Sequence, residues 1–141
     1  MNEERNKQMV REAFEAASRN DLDAAVRHLH RDFVYRSPAT GDARGEDGYR
    51  QMLGMYRRGW PDLRFDIRAM AAEGDKVMVS YDATGTQKGE FMGVSPTNKR
   101  TSVEVMSVLT CRDGKIAEQF VVFDTLDLLK QLDAVPAEMV G

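Results

Sequence analysis

The stretch TSVEVMSVLTCRDGKIAEQFVVFD, residues 101–124, decides the fold. It contains two apolar-rich runs that are joined by Asp113 and Gly114. An Asp-Gly pair between alternating runs is a strong signal of a β-hairpin, because both central residues of the favoured turn need a positive φ. We therefore predict two antiparallel strands, at residues 101–111 and 115–124, with a tight turn between them.

Both predicted strands carry apolar residues on their two faces. One face holds Met106, Val108, Phe120 and Val122, and the other holds Val105, Leu109, Val121 and Phe123. An antiparallel sheet with one solvated face shows clean alternation, so two apolar faces indicate that both are covered. The helices of the chain suffice for one face, and we predict that a second copy covers the other in a homodimer. The alternative is that the C-terminal tail DAVPAEMVG folds back over it.

Hydrophobic periodicity predicts the remaining elements. They are helices at 9–17, 22–29, 49–60 and 125–132, and strands at 32–38, 63–69 and 77–86. Helical spacing has apolar residues three and four apart, whereas the strands alternate with a period of two. Helices in the first half followed by an antiparallel sheet indicate an α+β fold.

Length and composition favour one domain over residues 1–141. Apolar residues make up 42% of the chain and charged residues 30%, with a net charge of -3. This charge gives no electrostatic reason to bind nucleic acid or an anionic membrane. No run approaches the roughly 20 apolar residues that span a bilayer. The single cysteine, Cys111, excludes an internal disulfide and fits a cytoplasmic location, and the polar N-terminus indicates no signal peptide.

Metal and phosphate sites are not indicated. The two histidines, His28 and His30, are expected at the exposed end of the second helix, and with one cysteine they do not make a metal site. The glycines of GTQKGEFMG, residues 85–93, follow a strand but open no helix, so no phosphate loop is predicted. We interpret this segment as a loop that connects two strands.

Five segments carry a resemblance to a known family. In chain order they are RDFVYRSP, WPDLRFDI, AAEGDKVMVSYDATGTQKGEFMGVSPTNKR, DGKIAEQ and DTLDLLKQL. Over nearly its whole length the chain resembles the SnoaL-like polyketide cyclase family of the nuclear transport factor 2-like superfamily. The resemblance implies a cone-shaped, curved antiparallel sheet wrapped by N-terminal helices, a cystatin-like α+β barrel whose mouth opens on an apolar pocket. Members are commonly dimers through the outer sheet face.

The resemblance also implies a reaction and its site. The characterised cyclases close a ring by intramolecular aldol condensation, without a metal or cofactor, and an inward Asp on the last strand takes a proton from carbon. Val121 stands at the position of that Asp, Ser107 at that of a family His, Tyr35 at that of a polar residue, and Gln119 at that of a second His. Because valine cannot accept a proton, the family mechanism does not carry over to this chain.

Strand parity sorts the side chains near Val121. If Val121 faces the pocket, Ala117, Gln119 and Phe123 face it too. The alternate row is Glu118, Phe120, Val122 and Asp124, which then faces outward. Glu118 is therefore expected to be structural.

Two residues are the catalytic candidates. Tyr35 could donate a hydrogen bond to a ligand carbonyl or enolate, or could be a core aromatic residue. Asp124 could be a carboxylate at the pocket mouth if a bulge reverses the local parity, or the N-cap of the last helix.

Further residues are candidates for ligand contact. They are Val105, Ser107, Gln119, Val121 and Phe123 on the two long strands, and Tyr56 and Trp60 on the third helix. A buried Gln119 needs hydrogen-bond partners and could orient a ligand. Ser107 could leave room for the ligand, whereas a role as nucleophile would require an adjacent base. Tyr56 and Trp60 can pack the cone and line its cavity at the same time.

Three functions remain open from the sequence. The first is a cofactor-independent enzyme that cyclises or isomerises a small apolar carbonyl compound. The second is a non-catalytic domain that binds such a compound. The third is an interaction module whose sheet pairs with another protein. A carboxylate or imidazole that projects into the cavity would distinguish the first from the second.

Overall fold

The structure is a computed structural model that describes residues 2–136. These residues form four helices and six strands. The helices are α1 (Asn2–Ser18), α2 (Leu22–Val26), α3 (Gly45–Gly59) and α4 (Thr125–Gln131). The strands are β1 (Leu29–Arg36), β2 (Ala43–Arg44), β3 (Arg64–Glu73), β4 (Lys76–Thr86), β5 (Arg100–Arg112) and β6 (Lys115–Phe123). The α+β fold predicted from the periodicity is confirmed.

The strands form one curved sheet in the order β2-β1-β6-β5-β4-β3. All neighbouring strands are antiparallel except β1 and β6, which are parallel. The expectation of a purely antiparallel sheet is therefore wrong at this one pair. Parallel neighbours need a long crossover connection, and residues 37–114, which lie between β1 and β6, supply it.

The predicted hairpin is present as the antiparallel pair of β5 and β6. Asp113 and Gly114 have φ values of 55° and 73°, as the tight turn requires. Ser107 lies opposite Val121, and Val105 lies opposite Phe123. This register brings the candidate residues of β5 and β6 side by side.

Two bulges change which side chains reach the inner face. In β3 the register shifts between Ile67 and Ala69, so that Met70, and not Ala69, packs against the core. Between β5 and β6 the register shifts so that Cys111 pairs with Ile116. A bulge adds one residue to a strand and reverses the parity beyond it. The expected inward row is therefore right for Gln119, Val121 and Phe123, but Ile116 lines the cavity in the place expected for Ala117.

The first strand begins earlier than expected. Helix α2 ends at Val26, and β1 begins at Leu29, so His30 belongs to a strand and not to a helix end. His30 Nδ1 accepts a hydrogen bond from the backbone N–H of Asp32 at 3.0 Å, and the imidazole is largely buried. Pairing with β6 stabilises an extended backbone here, which overrides the helical spacing of the sequence.

The outer face of the sheet leaves large apolar side chains exposed. Met106, Val108 and Val122 are 49%, 40% and 44% exposed, and the Arg36 guanidinium lies 5.1 Å from the centre of the Phe120 ring. The end of the tail proposed to cover this face, from residue 137 onward, lies outside the described residues. None of the helices within residues 2–136 combines the length and the apolar character that crossing a bilayer requires.

Candidate functional site

A cavity of about 100 Å³ lies between the inner face of the sheet and helices α1 and α3. Its size is of the same order as an engineered apolar cavity of about 150 Å³ that binds benzene. Seven of the nine candidate residues line it: Tyr35, Tyr56, Trp60, Val105, Gln119, Val121 and Phe123. The two long strands, β1 and α3 thus bring together residues that are far apart in the sequence.

Ser107 lies behind the cavity wall instead of lining it. Its Oγ is 3.5 Å from Gln119 Nε2, which donates to it, and 3.3 Å from the Tyr81 hydroxyl. The three side chains are neighbours on adjacent strands, and all are buried. Ser107 is therefore placed to orient the Gln119 amide, and no base lies beside it to activate its hydroxyl.

Asp124 does not line the cavity. Its Oδ1 accepts a hydrogen bond from the backbone N–H of Asp127 at 2.9 Å, so the side chain caps α4. The sequence left this role open beside the catalytic one. A catalytic role of Asp124 stays a prediction, and it would require the carboxylate to leave its cap.

Four tyrosines line the cavity: Tyr35, Tyr49, Tyr56 and Tyr81. Burial raises the pKa of Tyr35, Tyr49 and Tyr81 well above the ordinary value of 10.0. For Tyr35, the neighbouring Tyr56 and Tyr81 raise the pKa further. The phenols of Tyr35, Tyr49 and Tyr81 therefore stay protonated at neutral pH, and they can donate a hydrogen bond but cannot act as bases.

Apart from the tyrosines, none of the described lining residues has a titratable side chain. Val121 is buried in this wall with 3% of its surface exposed. A carboxylate, imidazole or amine that could take a proton from carbon is absent from the described lining. The cavity thus offers apolar contact and neutral hydrogen-bonding groups.

Sequence reasoning missed several of the cavity residues. Tyr49 and Tyr81 lie in the third predicted helix and in the strand that begins at residue 77, and Phe91 lies in the predicted loop, but none of the three is among the candidate site residues. Phe91 reaches the cavity from the connection between β4 and β5, which spans residues 87–99. A signal was present, because Phe91 is the only aromatic residue among residues 87–99.

Potential metal ligands do not cluster in the described part of the chain. Within residues 2–136, no group of three or more His, Cys, Asp or Glu side chains is arranged so that it could hold a metal ion.

Comparisons with known proteins place the chain in a family. The family model for SnoaL-like polyketide cyclases matches residues 7–132. AclR from Streptomyces galilaeus, a candidate hydroxylase, is 30% identical with a TM-score of 0.81, over 93% of this chain and 86% of AclR. IdmH from Streptomyces antibioticus, a candidate polyketide cyclase, is 27% identical with a TM-score of 0.81, over 91% of this chain and 98% of IdmH.

A third structure agrees in fold. It is a candidate SnoaL-like polyketide cyclase from Jannaschia sp. CCS1, which is 24% identical with a TM-score of 0.85, over 95% of each chain. No curated protein sequence matches the chain. The family match extends from α1 into α4 and includes every strand of the sheet. The chain therefore belongs to the SnoaL-like polyketide cyclase family.

Proposed function

We propose that this protein binds a small, largely apolar carbonyl compound in the cavity and does not turn it over by the family's acid–base chemistry. One observation carries the proposal. The described lining combines apolar side chains with neutral hydrogen-bonding groups and contains no carboxylate, imidazole or amine. An apolar cavity with a few convergent polar groups is the usual form of a small-molecule site.

Tyr35 and Gln119 are the polar anchors in this proposal. The Tyr35 phenol stays protonated, because burial raises its pKa, and it can donate to a ligand carbonyl. Gln119 lies beside it, because residues 35 and 119 are direct partners across β1 and β6. The contact with Ser107 limits the orientations of the Gln119 amide, so that the ligand meets a defined polar patch.

Ligand binding can be measured through Trp60. It is the only tryptophan in the chain, and it lines the cavity. We expect 1-tetralone to bind more tightly than tetralin, which has the same rings without the carbonyl. The change in Trp60 fluorescence should therefore reach half of its maximum at a lower concentration of 1-tetralone. Tyr35→Phe removes the hydroxyl and should weaken 1-tetralone binding by about three- to tenfold, the usual effect of one hydrogen bond. Tetralin binding should not change, and failure of both compounds to bind would refute the proposal.

A cyclase is the second candidate, and the family match favours it. Tyr35 would then polarise the substrate carbonyl, and Asp124 is the proton acceptor that we name for this case. The two candidates differ in the exchange of protons next to the carbonyl. In deuterated water an enzyme of this kind would exchange the C2 protons of 1-tetralone, as followed by proton NMR, and Asp124→Asn would abolish the exchange. With a binding domain, the C2 proton signal would disappear no faster than it does in buffer without protein.

We also propose that the outer sheet face forms a homodimer. Met106 pairs directly with Val122 and Val108 with Phe120, so the exposed apolar side chains form one strip across β5 and β6. Burial of such a strip by a second copy removes apolar surface from water. The Arg36–Glu118 ion pair, at 3.0 Å, lies at its edge.

Light scattering after size-exclusion chromatography tests the dimer. We expect a mass of about twice the 15.9 kDa of one chain at micromolar concentration. Val122→Glu places a charge in the strip and should give the monomer, whereas Ser102→Glu, which is exposed on the same strand face but outside the strip, should not. A wild-type monomer would contradict the dimer and favour a surface for another protein.

A further inference from the structure

Two spaces adjoin at Phe91. Beyond the cavity lies an outer recess of about 350 Å³, with Thr40, Met55, Arg58 and Met92 in its walls. Phe91 is the one described residue that lines both the cavity and the recess. Phe91 therefore lies where the mainly apolar cavity and the recess meet.

Aromatic contacts hold the Phe91 ring in this boundary. The ring packs edge to face on Trp60, with centroids 4.9 Å apart, and lies tilted against Tyr56 at 5.8 Å. The Tyr56 hydroxyl lies 3.1 Å from Thr40 Oγ1, across the same boundary. Phe91 and the Tyr56–Thr40 pair together form a partition.

The backbone that carries Phe91 is fixed on both sides. A tight turn links Phe91 and Val94 through two backbone hydrogen bonds of 3.0 and 2.8 Å. The turn places Met92 and Gly93 at positive φ. At the base of the loop, Gly89 passes so close to α3 that a Cβ would lie 1.9 Å from the Arg58 carbonyl oxygen. The position of the partition is thus set by the fold.

We propose that Phe91 sets the length of ligand that the protein accepts, by separating the cavity from the outer recess. This inference rests on the proposed binding function. The ligand would hold its carbonyl and ring in the cavity, and any alkyl extension would have to pass Phe91 to reach the recess. The recess suits such an extension because Met55 and Met92 offer adaptable apolar surface. Replacing Phe91 by a small residue should join the two spaces into one channel.

A series of phenyl ketones measures the length limit directly. Acetophenone, butyrophenone, hexanophenone and octanophenone share one head group and differ only in chain length. Each methylene that is buried should strengthen binding about fourfold. In the wild type we expect this gain, read from Trp60 fluorescence, to stop at a short chain, and in Phe91→Ala to continue to longer chains.

Phe14→Ala is the matched control. Phe14 also lines the cavity and is buried, but it does not border the recess. It should leave the length limit where it is in the wild type. Phe91→Leu provides a milder change should the alanine variant unfold, and it should move the limit by an intermediate amount. Met92→Ala, added to the Phe91→Ala variant, should weaken the binding of the long ketones and leave the binding of the short ketones unchanged.

The outcomes separate this inference from the proposed function. If the ketones bind but the limit is the same in wild type, Phe91→Leu and Phe91→Ala, the role of Phe91 is refuted and the binding function stands. An equal shift in Phe14→Ala would also refute it, because added volume alone would then explain the change. If none of the ketones binds to any variant, both proposals fall together.

Discussion

Gln87 holds the loop at residues 87–99 in place, and Gln87→Ala tests how much this contributes to stability. The Gln87 side chain is fully buried. Its Nε2 donates to the carbonyl oxygens of Gly89 at 3.1 Å and Val94 at 3.2 Å. Its Oε1 accepts from the backbone N–H of Thr97 at 3.0 Å and from the Thr97 hydroxyl at 2.7 Å. One amide thus joins both arms of the loop.

The expected loss follows from these four hydrogen bonds. Each contributes about 1 kcal/mol net, which gives about 4 kcal/mol. Alanine has no side-chain rotamers to lose, so folding of the variant costs roughly 1.5 kcal/mol less in side-chain entropy, which offsets part of this loss. We therefore expect Gln87→Ala to lower the free energy of unfolding by about 2 to 3 kcal/mol.

Urea unfolding followed by Trp60 fluorescence measures the loss by linear extrapolation. All variants should be compared at one protein concentration, because a dimer makes the apparent stability concentration-dependent. Gln131→Ala is the matched control. Gln131 makes three side-chain hydrogen bonds, to Ser102 and Asp127, but it is only half-buried, and its loss should cost about 1 kcal/mol.

Two results would refute the reasoning. Equal losses in Gln87→Ala and Gln131→Ala would show that burial does not add to the cost of unpaired polar groups at this loop. A loss below about 0.5 kcal/mol in Gln87→Ala would show that the four contacts are too weak to hold the loop. In either case the fixed position of Phe91 would need another explanation.

Three further predictions concern the cavity and its surroundings. Val121→Asp buries a carboxyl group whose folded-state pKa desolvation raises, so its cost relative to Val121→Asn should grow from near zero at pH 4 to about 2 to 3 kcal/mol at pH 8, as urea unfolding at both pH values can show. Gly89→Ala should displace the loop from α3, because its Cβ would lie 1.9 Å from the Arg58 carbonyl oxygen, and faster amide hydrogen exchange in the loop would reveal this; unchanged exchange would contradict the close approach. Burial raises the pKa of Cys111 from 9.0 to about 11. The contribution of the neutral Cys111 thiol to the free energy of unfolding is therefore complete below pH 9 and is lost as the pH rises toward 11. Cys111→Ala should make the free energy of unfolding depend less on pH in this range, and identical pH curves for the two proteins would refute the raised pKa.

Several features of the fold could be predicted because they depend on local chemistry. The Asp113-Gly114 turn fixed the β5–β6 hairpin, since few residues other than glycine, asparagine and aspartate adopt a positive φ at low cost. Alternation placed Gln119, Val121 and Phe123 on one strand face, which the family resemblance made the inner one, and there they line the cavity. Alternation placed Met106 and Val122 on the opposite face, where both are exposed.

The sequence by itself determined the order and type of the four helices and of every strand except the short β2, the two apolar faces of the long strands and the hydrocarbon at residue 121. Each of these depends on residue type and spacing, which local sterics and hydrophobicity govern. Only the tertiary structure decided that β1 lies parallel to β6 and that Ile116 replaces Ala117 in the cavity wall. It also decided that Gln87 fixes the loop so that Phe91 reaches the cavity. These features depend on pairing and packing between residues distant in the chain, and a bulge or a loop position changes them without changing the local pattern of the sequence.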